Sequence, residues 1–211
     1  MHPTRIILAD DQCLFTDALK KFLEPEYKVI ATCKDGRSLI YEAQRLKPNL
    51  IVLDVGMPLV NGLNAGIRLK ELLPETKLIY LTMNMDREVV AEAFRLGALG
   101  YVVKSSAGIE LIQAIRRAMV GKRYITPLLT DDDPILFWKT LNRKRSPNGL
   151  TLRQKEILRL LAEGLSMKEV AYLLNLSPRT VAFHKYTMMD HLKLKTSAEL
   201  IRFAIKELIV A

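Results

Sequence analysis

Polar residues stand at four points where short apolar, β-branched runs stop, and their types together suit one chemistry. Arg5-Ile-Ile-Leu-Ala9 runs into Asp10-Asp11, Leu50-Ile-Val-Leu53 into Asp54, Lys77-Leu-Ile-Tyr-Leu81 into Thr82, and Gly100-Tyr-Val-Val103 into Lys104. Three carboxylates brought close together repel one another and resist ionising unless a cation joins them. Magnesium suits such a place, as a hard ion that takes oxygen ligands and keeps several waters. Asp54 is then the candidate nucleophile toward a phosphoryl group neutralised by the metal. Thr82 can hydrogen-bond one phosphoryl oxygen and Lys104 can pair with another. Taken singly, each residue has a plainer role. Asp11 can cap the following helix, an aspartate after a strand is ordinary turn chemistry, and most lysines are solvated surface. Only the coincidence of four run ends favours phosphoryl transfer onto Asp54.

Such a meeting requires elements that bring those ends to one edge. The four runs and Lys28-Val-Ile-Ala-Thr-Cys33 read as five buried strands, with helical segments near residues 12–23, 37–46, 64–73, 87–96 and 106–120. Strands alternating with helices predict right-handed crossovers and a parallel sheet covered on both faces, here a doubly wound, flavodoxin-like α/β domain. The carboxyl ends of its strands share one edge, and ligands bind there at the switch point between strands one and three.

Across about residues 4–121 the chain resembles the response-regulator receiver family. The matching stretches are Asp10-Asp11, Asp54-Val-Gly-Met-Pro58 with Asn61-Gly62, Leu81-Thr82, Ala98-Leu-Gly-Tyr101 and Lys104-Ser-Ser. The resemblance implies that Asp54 accepts phosphate from a sensor histidine kinase. It implies that Asp10, Asp11, Asp54 and the carbonyl of Gly56 hold Mg2+. It also implies that Thr82 and Tyr101 act as switch residues, coupling phosphate to the face around the fourth helix. Haloacid-dehalogenase-type phosphatases share an aspartate nucleophile but need a second acid two residues later. That position is Gly56, which leaves no general acid for turnover, so an enzyme is not expected.

Past Gly121 the strand signal disappears. Residues 122–149 read as a linker, with an acidic triplet at 131–133, the lone Trp138 and one short helix around Ile135–Leu141. From Thr151 onward the pattern is helical. Thr151-x-x-Gln154, Ser166-x-x-Glu169 and Thr196-x-x-Glu199 are capping boxes, and Ser177-Pro178 sets an N-cap serine before a first-turn proline. These starts predict a small all-α domain of four helices over 150–211. Ser166–Leu174, the turn at Asn175-Leu176 and the helix from Ser177 make a helix-turn-helix candidate. Arg179, Thr180, Ala182, Phe183, Tyr186 and Thr187 are read as its outward positions. Lys168, Arg179, Lys185 and the amides at helix starts such as Ser177 suit phosphate oxygens. Val170, Ala171, Leu174, Val181, Met188 and Leu192 are assigned to the core. On pattern alone, a helical protein-interaction module stays open.

Residues 150–210 resemble the LuxR-type helix-turn-helix of the NarL/FixJ regulators, through Leu150–Leu158, Ala162–Ala171, Leu176-Ser-Pro-Arg-Thr-Val181, His184 and Ser197–Ala204. The resemblance implies double-stranded DNA, a homodimer on that DNA and RNA polymerase as partners. Many relatives carry a lysine after the Thr-Val pair, where this chain has Ala182-Phe183; Phe183 can instead meet a thymine methyl.

Charge agrees with that division. Residues 1–121 hold 16 Lys/Arg against 14 Asp/Glu, and residues 122–211 hold 16 against 9, so the basic excess sits in the second half. Cys13, Cys33 and the three histidines have no metal-ligand spacing. Neither a signal-peptide layout nor a long apolar span is evident, so a cytoplasmic protein without membrane contact is expected. Two rival functions remain open: a DNA binder indifferent to phosphorylation, and a receiver whose helical domain binds protein.

Overall fold

The computed structural model describes residues 3–130 and 149–206, which form two compact units, each considered by itself. In the first unit the chain alternates β1 (Arg5–Ala9), α1 (Cys13–Leu23), β2 (Lys28–Cys33), α2 (Gly36–Leu46), β3 (Leu50–Leu53) and α3 (Gly62–Leu72). It continues through β4 (Lys77–Thr82), α4 (Arg87–Arg95), β5 (Gly100–Val103), α5 (Ala107–Met119) and β6 (Tyr124–Ile125). All strands pair in parallel in the order β2-β1-β3-β4-β5-β6.

The expected five strands are therefore six. Only Tyr124 and Ile125 make the sixth, and both lie in the stretch read as linker. Two residues give no periodicity to read, and they pair only because β5 offers Gly100 and Tyr101 as an open edge. The short helix expected around Ile135–Leu141, with Trp138 and the acidic triplet, lies outside the described residues.

Burial on both faces explains the continuous apolar runs. Ile6, Leu8, Val52, Ile79, Leu81 and Val102 pack in one cluster with Leu19 and Leu23 of α1 and Leu111 and Ile115 of α5. The alternate residues Ile7, Ile51, Leu53, Tyr80 and Tyr101 are equally buried on the opposite face. Side-chain caps fix where three helices begin. Asp35 accepts from Arg37 and Ser38 N, Asn61 from Asn64 N, and Asp86 from Glu88 N.

Close backbone approach sets the head of α3. A Cβ at Gly62 would lie 2.0 Å from the Asp54 carbonyl oxygen, and one at Gly66 would lie 2.1 Å from the Tyr80 hydroxyl. The loop after Asp54 is thus clamped under α3, and Gly62 N donates to Val55 O at 2.9 Å.

The second unit contains α6 (Leu152–Ala162), α7 (Met167–Leu173), α8 (Pro178–His191) and α9 (Ser197–Lys206). The capping boxes at Thr151 and Ser166 form with both reciprocal bonds. Thr196 and Glu199 exchange the same pair, at 3.2 and 3.3 Å. Ile157, Leu158, Val170, Ala171, Val181, Met188 and Leu200 form the core, with Leu174 and Leu192 packed at its margin.

Two glycine substitutions should move stability in opposite directions. Gly62→Ala should destabilise by roughly 2 kcal/mol, because the methyl meets backbone rather than a flexible tip. Gly108→Ala, in the first turn of α5 with nothing within 4 Å of the added carbon, should stabilise by about 0.5–1 kcal/mol. Urea denaturation of each variant beside the parent measures both.

Candidate functional site

The four strand ends meet. Asp10 leaves β1, Asp54 leaves β3, Thr82 closes β4 and Lys104 follows β5; all four are buried, and Asp11 is half-buried. Carboxylate oxygens of Asp10, Asp11 and Asp54 lie within 4.8 Å of one another. Lys104 reaches between two of them, with Nζ 2.6 Å from Asp10 Oδ2 and 3.0 Å from Asp54 Oδ2. Backbone bonds hold the acids in place. Asp54 N donates to Ala9 O at 2.8 Å, Asp10 Oδ1 accepts from Gln12 N at 3.0 Å, and Gly56 N donates to Asp54 Oδ1 at 3.2 Å.

The N-cap of α1 is Gln12, whose own side chain makes no capping bond; its amide is taken by Asp10 Oδ1, so the acid pair leads directly from the pocket into the helix.

Electrostatics set what the pocket can take. Three carboxylates face one ammonium, in a place largely stripped of water. Burial holds the Asp10 carboxyl above its ordinary range; the Lys104 contact and the Gln12 amide pull it down, and the Asp54 charge pushes it up. Burial is the largest of these effects. One lysine leaves an excess of negative charge, and hard oxygen donors crowded within 4.8 Å of each other fit a divalent cation of the magnesium class. Asp10, Asp11 and Asp54 are the side chains that could hold it.

Thr82 and Tyr101 are linked through Asn84. Thr82 Oγ1 accepts from Asn84 N at 3.2 Å, while the Tyr101 hydroxyl donates to Asn84 O at 2.9 Å. Tyr101 is fully buried, and burial, with the charges of Asp54 and Asp86, drives its hydroxyl well above the ordinary tyrosine range. Asn84 therefore joins the two expected switch residues through its own peptide groups. The sequence reading missed it, because a loop asparagine two residues past a strand carries no pattern that marks such a role.

In the helical unit, Ser177 caps α8 by accepting from Thr180 N at 3.0 Å, and Asn175 takes the left-handed conformation in the turn, φ 52°. Lys168, Ser177, Arg179 and Tyr186 are exposed, and Ala182, Lys185 and Thr187 are half-buried. Lys185 Nζ lies 5.5 Å from the Tyr186 ring centroid. Two outward assignments are corrected: Thr180 is 4% exposed and Phe183 is 5% exposed. The Thr180 hydroxyl is turned to Ser177 Oγ at 2.8 Å, closing the cap. Phe183 meets the buried His184 edge-on, with centroids 5.3 Å apart, so this large apolar ring is withdrawn from water rather than offered to a base. Tyr172, 87% exposed on α7, was not singled out from the sequence. Among the described residues no helix is long and apolar enough to cross a membrane.

Comparison with known proteins agrees with both units. Residues 6–116 match the model of the response regulator receiver domain, and residues 148–204 match that of the bacterial regulatory proteins of the luxR family. The chain is 32% identical over 214 residues to the oxygen regulatory protein NreC of Staphylococcus haemolyticus, covering 96% of this chain and 97% of that one. The Staphylococcus carnosus NreC is 31% identical over 211 residues, with the same coverage. Among solved structures, RcsB from Salmonella enterica serovar Typhimurium bound to promoter P1flhDC with the phosphomimetic BeF3- matches at 26% identity. Its TM-score is 0.64, over 96% of this chain and 98% of that one. An RcsB–DNA complex matches at 25% identity and TM-score 0.61, over 97% and 98%.

The raised Asp10 carboxyl has a signed consequence for stability. A carboxyl whose folded pKa lies above its unfolded value favours folding while protonated, and that contribution is lost as pH rises through the folded value. In the presence of a chelator, Asp10→Asn should melt a few degrees above the parent at pH 7, on the order of 1 kcal/mol. The gap should close as pH falls to 3.8, where the free carboxyl protonates too. Thermal melts across that range follow it.

Proposed function

The chain belongs to the two-component response regulators, joining a receiver domain to a LuxR-family DNA-binding domain, and from that premise we propose that its controlling event is phosphorylation of Asp54 by a sensor histidine kinase. The observation that carries the reading is the placement of Lys104 between Asp10 and Asp54 in a buried acid cluster. Catalysis for turnover is no part of this function, and the family is one of regulators. The receiver is taken to include residues 122–130, because Tyr124–Ile125 completes its sheet, with the remaining residues up to about 149 as linker and 150–211 as the DNA-binding domain.

Asp10, Asp11, Asp54 and the carbonyl of Gly56 would hold Mg2+. Bound there, the ion supplies neutralising charge for the phosphoryl oxygens, which lets a carboxylate approach them. Asp54 presents Oδ1 and Oδ2 in fixed directions, set by the Gly56 amide and the Lys104 ammonium. As an oxygen of Asp54 bonds to phosphorus, the bond from phosphorus to the kinase's histidine nitrogen breaks and that nitrogen takes the electron pair; Lys104 passes from the Asp54 carboxylate to a phosphoryl oxygen and keeps its proton. Thr82 turns its hydroxyl to another phosphoryl oxygen, which releases the Asn84 amide it now accepts. Asn84 O also accepts from Tyr101, so the loop that Thr82 releases is the loop that anchors the ring. Phosphate thus favours one of two arrangements of this edge, by its differential affinity for them.

The output is DNA binding by a homodimer on two half-sites about one helical turn apart. Lys168, Arg179, Lys185 and the start of α8 at Ser177 suit backbone phosphates, while Ala182 and Tyr186 face base edges. RNA polymerase is the further partner at a promoter, and the cytoplasm is the compartment in which kinase and DNA are both reached.

Two experiments test this reading. The parent should take up label from acetyl phosphate with Mg2+, and Asp54→Asn should lose essentially all of it; label retained in the variant defeats the assignment. Arg179→Ala should weaken binding to a selected DNA site by about 1–3 kcal/mol if the residue reads a base; if it contacts only phosphate, it should lower the salt slope by about one. Affinity unchanged at every salt concentration would remove Arg179 from the interface.

A further inference from the structure

Lys104 is held by three neighbours, and only two of them carry charge. Its Nζ lies 5.2 Å from the centroid of the Phe15 ring, besides its contacts with Asp10 and Asp54. Its side chain is 4% exposed, so the ammonium has given up nearly all of its water. A cation near an aromatic face is drawn to the ring quadrupole, and the attraction grows as water is removed. Phe15 stands in the first turn of α1, half-buried and packed against the core cluster that includes Leu19 and Leu23. It also lines a recess that opens beside Asp10 and Asp54. The ring is therefore fixed by the same helix that follows the acid pair.

Resting on the reading of Asp54 as phosphoacceptor, we propose that Phe15 is a positioning residue for phosphoryl transfer, holding the Lys104 ammonium in the pocket while it moves from Asp54 to the incoming phosphoryl group. With acetyl phosphate as donor, the bond between Asp54 oxygen and phosphorus forms as the bond between phosphorus and the acetate oxygen breaks. Acetate leaves with the electron pair. During that exchange Lys104 loses its Asp54 partner before fully gaining the phosphoryl oxygen, and Asp10 on one side and the Phe15 ring on the other are the contacts that stay. An aliphatic side chain fills similar space but offers no quadrupole.

Ring electronics can be varied with little change in shape. Phe15 is replaced by phenylalanines bearing one, two and three ring fluorines, and Asp54 labelling from acetyl phosphate with Mg2+ is timed for each full-length protein. The rate should fall stepwise, by on the order of three- to tenfold at the third fluorine. Phe15→Leu should fall at least as far, and Phe15→Tyr should keep the parent rate. A flat fluorine series beside a slow Phe15→Leu assigns the residue to packing alone and overturns the proposal. NMR of the Lys104 ε-methylene, recorded without donor or metal, should show an upfield ring-current shift in the parent that Phe15→Leu abolishes; an unshifted parent signal also overturns it. If the parent takes no label on Asp54 while the ring shift is present, the phosphoacceptor reading has failed, and the role in transfer fails with it.

Discussion

Three carboxylates and one ammonium share a volume from which water has been largely removed, and the carboxyl edge of the sheet is organised around that imbalance. Burying an ion costs several kcal/mol after relaxation unless partners replace its hydration. Lys104 replaces part of it for Asp10 and Asp54 at once. The upward displacement of Asp10 says that burial still outweighs those partners. Such a cluster persists only because the rest of the domain over-determines it. Asp54 is tied by its amide to Ala9 O at 2.8 Å, and the head of α3 presses on its peptide with no room for a Cβ at Gly62. The stability lost at the edge is offset by a sheet whose two faces are almost wholly apolar.

The same imbalance makes the edge responsive. A pocket that is short of positive charge changes its internal contacts whenever a cation or a bulkier anion arrives, because no arrangement of the resident groups satisfies all of them. In the proposed switch, Asn84 would give that rearrangement a short route. Its amide belongs to Thr82 and its carbonyl to Tyr101, so the two hydrogen bonds sit on the two peptide planes that meet at one Cα. Tyr101 rests at 6.3 Å from Tyr80, ring to ring. The Tyr80 hydroxyl lies 3.4 Å from Gly62 O, at the head of the helix that clamps the Asp54 loop. Close packing carries such shifts because tight interiors repack in discrete steps rather than deform smoothly.

What could be read in the sequence follows from which interactions leave a periodic trace. Asp10, Asp54, Thr82 and Lys104 were legible because each interrupts a buried strand at its carboxyl end, and parallel topology then forces those ends together. The helix starts at Thr151, Ser166, Ser177 and Thr196 were legible because capping is local chemistry with fixed spacing. β6 was not, since two residues have no period. Asn84 was not, since it acts through backbone groups that every residue type but proline carries, and Phe15 was not, since its partner Lys104 is distant in sequence and met only after folding. Thr180 and Phe183 failed for a different reason. A helix wheel assigns faces as though a helix had one buried side, whereas Thr180 turns to its cap and Phe183 buries its ring against His184.

That last failure bears on how this chain discriminates among DNA sites. With Thr180 and Phe183 withdrawn, the cationic side chains Lys168, Arg179 and Lys185 stand among exposed or half-exposed polar, small and aromatic ones, including Ser177, Ala182, Tyr172 and Tyr186. Cationic contacts to phosphate fix register and strength but carry no sequence information, and a base-reading pair contributes only about 1–3 kcal/mol of discrimination. With the contacts proposed above, one copy would separate its site from bulk DNA weakly. Two copies on a symmetric site double the base contacts and add a spacing requirement that random DNA rarely meets. On the proposed reading of a homodimer on two half-sites, the economical point of control is the pairing of copies rather than the chemistry of the recognition helix. A charge-imbalanced switch in a separate domain can supply that control without touching the residues that read the bases.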